Sequence, residues 1–316
     1  MDKLGPVCAG RIAEIATSQK NIWVLDGDSA DSTGADVFAY RHQERFLNAG
    51  IAEQAMVSVA AGMAACGLRP WVFSFAAFLC YRAYDQIRVC VSQTKLPVVL
   101  VGSHAGGLSG RNGKTHTALN DIALMASLPG ISVWTPADKQ DAVFCIDHLN
   151  ATPMSSYIRL PRETVSLIGG ESSKVRWIGR PHRLAIISAG LSSHWAIEAA
   201  GLLRGRGIDI GVFHFCQVWP VADCIKDLLA SVDMAFVLED HYGMGGLTSI
   251  LQSLDLPPKI VSLAWPSDWS GQSGAPTVVL KNFHMDASSV AQRIANFLQA
   301  NDSLAMRGSD KRHMVA

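Results

Sequence analysis

The run Arg45-Phe-Leu-Asn-Ala-Gly-Ile-Ala-Glu53-Gln-Ala-Met places an acid in the first turn of a helix, just after a short strand that ends at a glycine. A carboxylate there either complements the helix dipole or exchanges a proton with something bound beside it. The next strand ends in Phe75-Ala-Ala-Phe78-Leu-Cys-Tyr81-Arg82-Ala-Tyr84-Asp85-Gln86. Aromatic side chains at that spacing either fill a core or offer their faces to a flat ring. Two histidines, His104 in Gly102-Ser103-His104 and His116 in Thr115-His116, and the cation Arg162 follow along the chain. Each has a plain use, since a histidine at a strand end is often satisfied by backbone and Arg162 could pair with a nearby acid. What matters is that they occur together and in this order.

The elements around these residues read as alternating strands and helices. Buried-strand patterns cover Ile22 to Leu25, Trp71 to Phe75, Pro97 to Ser103, Ile131 to Thr135 and Ser156 to Leu160. Helical patterns cover Gly5 to Thr17, Ala52 to Ala65, Phe78 to Val91 and Ala137 to Leu149. The first half is therefore expected to be a parallel sheet covered on both faces. Glu163 to Pro181, with its Gly-Gly-Glu-Ser-Ser stretch, is the best linker. Beyond it, strands at Leu184 to Ser188, Ile210 to Phe215, Met234 to Leu238 and Ile260 to Ala264 alternate with helices at His194 to Arg206, Ala222 to Ser231 and Gly246 to Leu254, a second, smaller α/β unit. Residues 301–316 are polar without periodicity and are expected to fray.

In order, Gly-Ile-Ala-Glu53-Gln, the aromatic run, Thr115-His116 and Pro136-Ala137-Asp138 resemble the pyrimidine-binding domain of the transketolase family. Glu239-Asp-His-Tyr-Gly-Met-Gly-Gly-Leu-Thr resembles a turn of the family's C-terminal domain, so the resemblance spans nearly the whole chain. It implies two consecutive three-layer α/β domains: a pyrimidine-binding domain with a parallel sheet over 1–167, a linker at 168–181, a transketolase C-terminal domain over 182–300 and a disordered tail at 301–316. It also implies thiamine diphosphate as cofactor, an electron sink for which the protein supplies geometry. By the resemblance, Glu53 hydrogen-bonds the pyrimidine nitrogen opposite the amino group, favouring the imino tautomer that removes the thiazolium proton. Phe75, Phe78 and Tyr81 form the wall, with Phe78 stacked on the ring. His104 lies in the substrate channel, His116 stands close to the reacting carbon, and Arg162 binds an acceptor phosphate.

The sequence departs from the family in two places. Gly110-Arg-Asn112-Gly-Lys114-Thr-His116 stands where the family has Gly-Glu-Asp-Gly-Pro-Thr-His, so an amide at Asn112 replaces an acid that contacts a sugar hydroxyl. Gly5 or Cys8 falls where a second phosphate-binding arginine aligns. The expected acceptor is then other than the usual sugar phosphates, unless the loop's basic residues serve an interface.

Lys plus Arg equals Asp plus Glu at 27 each, which offers nucleic acid or an anionic membrane no long-range attraction. The composition, 49% hydrophobic and 17% charged, fits large subunit interfaces. Seven scattered cysteines read as buried thiols in a reducing cytoplasm, and neither cysteine nor histidine spacing offers a metal site. Gly27-Asp28-Ser29 with Asn48 is not the family's Gly-Asp-Gly and downstream Asn, and Asp28 is expected to cap or brace the active-site rim instead. The resemblance thus implies an N-terminal subunit that holds the diphosphate through Mg2+ or Ca2+, in an α2β2 heterotetramer acting on sugars or sugar phosphates. Competing readings are the beta subunit of a 2-oxoacid dehydrogenase, a 1-deoxyxylulose-5-phosphate synthase-like enzyme using pyruvate, and a non-catalytic scaffold subunit.

Overall fold

A computed structural model describes residues 1–108 and 110–310, with side chains described as far as residue 301. Its strands are β1 Ile22–Asp26, β2 Phe46–Asn48, β3 Arg69–Phe75, β4 Val99–Ser103, β5 Ser132–Trp134, β6 Ser156–Arg159, β7 Val175–Ile178, β8 Leu184–Ala189, β9 Gly211–Phe215, β10 Gln217–Trp219, β11 Met234–Tyr242 and β12 Lys259–Trp265. They form a seven-stranded sheet ordered β10-β5-β6-β4-β3-β1-β2 and a five-stranded sheet ordered β12-β11-β8-β9-β7. All pairings are parallel except β10 with β5 and β7 with β9. This is the expected architecture, two α/β sheets with mostly parallel strands.

Every residue of β4, β5 and β6 is buried, which is why they read as unbroken apolar runs rather than alternating ones. Along β3 and β4, Phe73 and Val101 join one core with Leu4, Cys8 and Ile12 of helix Leu4–Ala16 and Cys145 and Leu149 of helix Lys139–Ala151. Val72 and Leu100 face the other core, with Met56, Val57 and Ala60 of helix Glu53–Ala65. The period of two in a strand thus sends neighbours to opposite helical layers.

Four expectations change. The helix expected over Phe78 to Val91 is two π turns, Phe78–Arg82 and Ile87–Ser92, joined by Tyr84–Gln86. Its amides reach five residues back, Ala83 N to Phe78 O at 3.2 Å and Gln93 N to Arg88 O at 3.0 Å. The helix expected over Ala222 to Ser231 contracts to Ile225–Leu228, because Ala230 and Val232 close onto carbonyls three residues back. Part of the supposed linker is an edge strand, β7, pinned by pairing with β9 and by Arg176 donating to Asp141 at 2.6 Å. The last helix, Ala287–Asp310, runs through residues expected to fray, and 311–316 lie outside the described residues.

The two domains are stitched together. β10 follows β9 directly yet joins the first sheet, and Thr135 N donates to Cys216 O at 2.6 Å. Among the described residues, no helix is long and apolar enough to cross a membrane.

Candidate active site

Glu53 opens its helix after a turn at Gly50, and its side chain is only 1% exposed. Its Oε2 accepts from Arg82 Nη1 at 2.6 Å, a charge-assisted bond to a half-exposed guanidinium. Gly27, just past β1, lies against it: a Cβ there would stand 3.6 Å from Glu53 Oε1 and 3.4 Å from Ser74 Oγ. Ser74 Oγ is buried and has no hydrogen-bond partner among the described residues.

Phe75 and Phe78 lie nearly parallel, 5.4 Å between centroids and 24° between planes. Two histidines close around them. His104 lies 4.2 Å from Phe75, and His116 stands edge-on to Phe75 at 5.6 Å and to Phe78 at 5.1 Å. Tyr81 turns elsewhere, its hydroxyl donating to Asn120 Oδ1. Among the described residues, the ring cluster therefore holds two phenylalanines and two imidazoles, without Tyr81.

His104 has φ 57°, the left-handed region that an L residue seldom occupies, and such strain collects at functional sites. Burial, reinforced by Arg162, His116 and Lys3, depresses its pKa to about 4, so the imidazole is neutral at physiological pH. His104 and Arg162 line one cavity of about 470 Å3 with Lys3, Asp31, Thr33 and Glu163. Glu163 is pushed up to about 7 by burial, with Asp240 adding to the shift. At the cavity's edge, a side chain at Gly5 would begin 2.0 Å from Thr33 O, so the second arginine of the family pattern has no room there. Asn112 is exposed, just before the 3-10 turn Gly113–His116.

The second domain positions this site. Asp240 Oδ1 accepts from Gly107 N at 2.8 Å and from Trp265 Nε1 at 2.7 Å, while Asp240 O accepts from Arg159 Nη2 at 2.6 Å. Glu239 caps helix Leu247–Gln252, accepting from Leu247 N at 2.7 Å and from Thr248 Oγ1 at 2.5 Å. The Glu239-Asp240 pair thus has two structural tasks, one cap and one clamp on the loop after His104.

Asp28 accepts from Asn48 Nδ2 at 3.0 Å. A donor trio that linear spacing hides, Asp141, His214 and Cys216, converges between the domains. Arg176 at 2.6 Å and Ser172 at 2.7 Å already occupy Asp141 Oδ1, and His214 Nε2 lies 3.0 Å from Oδ2, so the carboxylate is compensated by the Arg176 guanidinium. Burial alone would raise this carboxyl, but His214 and Arg176 hold it well below the usual range. Arg82, Ser74 and Glu163 also escaped the sequence reading. Arg82 had one available signal, its place four residues after Phe78.

A two-domain α/β chain with a buried carboxylate and stacked rings at the strand ends of its first sheet defines a class, and comparison with known proteins gives the family. The model of the transketolase pyrimidine-binding domain matches residues 6–166, and that of the transketolase C-terminal domain matches 173–290. The chain belongs to the transketolase family. It is 31% identical over 294 residues to a putative transketolase C-terminal section from Methanocaldococcus jannaschii, covering 90% of this chain and 92% of that one. It is 30% identical to human transketolase, covering 91% of this chain and 48% of that protein. Among solved structures it is similar to a split-gene transketolase, an inactive β4 tetramer, with a TM-score of 0.83 and 26% identity over 94% of this chain and 98% of that one. It spans about half the length of several other curated relatives.

The family depends on thiamine diphosphate, and these residues suit its aminopyrimidine end. A carboxylate, an unpartnered buried hydroxyl on Ser74 and a stacked aromatic pair are the contacts a flat nitrogen heterocycle requires.

Proposed function

We propose that the chain is the aminopyrimidine-holding subunit of a two-chain transketolase, which moves a two-carbon ketol unit from a ketose or ketose phosphate to an aldehyde. The observation that carries this reading is the buried Glu53 carboxylate, linked through Arg82 to Phe78 and the ring cluster it forms with Phe75 and two histidines. It stands outside the carboxyl ends of parallel strands, where open α/β sheets bind ligands.

Thiamine diphosphate, when bound, supplies the electron sink for cleaving the bond next to a ketose carbonyl. Glu53 would hydrogen-bond a ring nitrogen and hold the proton shared with it. Phe78 would stack on the ring, and Phe75 shields that side from water. His104, neutral, would exchange hydrogen bonds with substrate hydroxyls, as would His116, and Arg162 would meet an anionic acceptor end. Asn112 can donate to a hydroxyl that a carboxylate could only accept from.

In this proposal an N-terminal subunit holds the diphosphate and its Mg2+ or Ca2+, in an α2β2 assembly. Support comes from the two domain models matched, from the similar transketolase C-terminal section of Methanocaldococcus jannaschii, and from a similar split-gene transketolase that is inactive as a β4 tetramer. Seven free cysteines suit a reducing compartment such as the cytoplasm.

The test is to mix the chain with its partner and assay ketose donors against ribose 5-phosphate and erythrose 4-phosphate. Ketol transfer by the mixture and none by either chain alone is the expected result. Turnover of pyruvate in place of ketose would sink the transketolase reading, and ordinary rates with both phosphates would remove the case for an altered acceptor.

A further inference from the structure

We infer that Arg82 is an internal stand-in for the cofactor's ring, occupying the aminopyrimidine slot in the unpartnered chain and leaving it when the cofactor loads. This rests on the function proposed above. The guanidinium makes both contacts that the ring is expected to make: a hydrogen bond to Glu53 Oε2 at 2.6 Å, and a stacking position with Cζ 4.4 Å from the Phe78 centroid. A planar cation that donates to carboxylates and lies on aromatic faces is a fair copy of a nitrogen heterocycle.

The surroundings leave a ring no easier berth. Phe78 is already engaged by Phe75 at 5.4 Å and by His116 at 5.1 Å, so a ring touching both Glu53 and Phe78 meets the guanidinium first. The exit is open, because the Arg82 side chain is 44% exposed against 1% for Glu53. Only the side chain has to move. Its backbone belongs to the π turn Phe78–Arg82, anchored by fully buried Leu79 and Cys80.

Arg82 therefore acts in two opposite directions. It compensates a carboxylate that would otherwise be buried and unpaired, which stabilises the empty chain. It also competes with the incoming ring, which weakens cofactor binding. A residue that merely held Glu53 in position would strengthen both.

The test is calorimetric titration of the assembled two-chain complex with thiamine diphosphate and Mg2+, using wild type, Arg82→Ala, Arg82→Lys and Glu53→Ala. Arg82→Ala is expected to bind about tenfold more tightly, with Arg82→Lys between it and wild type, while the melting temperature of the lone Arg82→Ala chain falls. Weaker or unchanged binding by Arg82→Ala overturns the inference. Unchanged binding by Glu53→Ala overturns the site assignment beneath it as well. Should Arg82→Ala fail to assemble, the structure of the loaded wild-type complex decides: a guanidinium displaced from Phe78 supports the inference, and one still lying over that ring contradicts it.

Discussion

The Asp240 carboxylate of the second domain accepts the Gly107 amide of the first at 2.8 Å, across a sequence separation of 133 residues. Through it, the loop that carries His104 is held by a strand of the other sheet. Close approach here requires glycine, since Gly106 has φ +89° and a Cβ on it would stand 1.8 Å from Asp240 Oδ2. Asp240→Ala would strand the Gly107 and Trp265 donors, so we expect a loss of about 3 kcal/mol in urea denaturation, from ~1–3 kcal/mol per orphaned group. Gly106→Ala should cost a similar amount and raise KM. Full stability in both variants would mean that the clamp is not needed.

Stability should change with pH in a direction set by two pairs of groups. Burial first of all lowers His104 and His241 to about 4, below the ordinary 6.5. The folded chain then binds fewer protons than the unfolded chain between those values, and these groups lose it stability as pH falls from 6.5 towards 4. Glu239 and Glu163, raised by burial from 4.5 to about 7, act oppositely and remove stability as pH rises from 4.5 through 7. Melting curves of His241→Leu between pH 6.5 and 4 should show a shallower acid loss than wild type. An identical slope would contradict the assignment.

Arg162 lies in the cavity beside His104 but outside the ring cluster. Arg162→Ala should therefore raise KM for a phosphorylated acceptor by about tenfold while changing kcat little, the signature of lost ground-state binding. Steady-state kinetics with phosphorylated and unphosphorylated aldehydes would check it. An equal change for both acceptors would remove the phosphate role.

Most of the sheet architecture was legible because strands buried on both faces read as apolar runs and crossover helices carry their own spacing. Glu53, Phe75, Phe78 and His116 were legible as local motifs, and the structure brings the three aromatic rings together, with Arg82 linking Phe78 to Glu53. What escaped depends on distant partners. β7 looks like a linker until β9 pairs with it, and Ser74 acquires interest only when Gly27 and Glu53 pack around it. Tyr81 fits the aromatic stripe by spacing, yet Asn120 draws it away. The π turns also distort the periodicity on which helical spacing relies.

The most direct test of the account is single-turnover ketol transfer by the reconstituted two-chain enzyme carrying Glu53→Ala. With the melting temperature of the complex showing an intact fold, the rate should drop by roughly a hundredfold or more, in the range expected for a lost acid–base group. A near-normal rate in that variant would contradict the claim that this carboxylate serves the coenzyme.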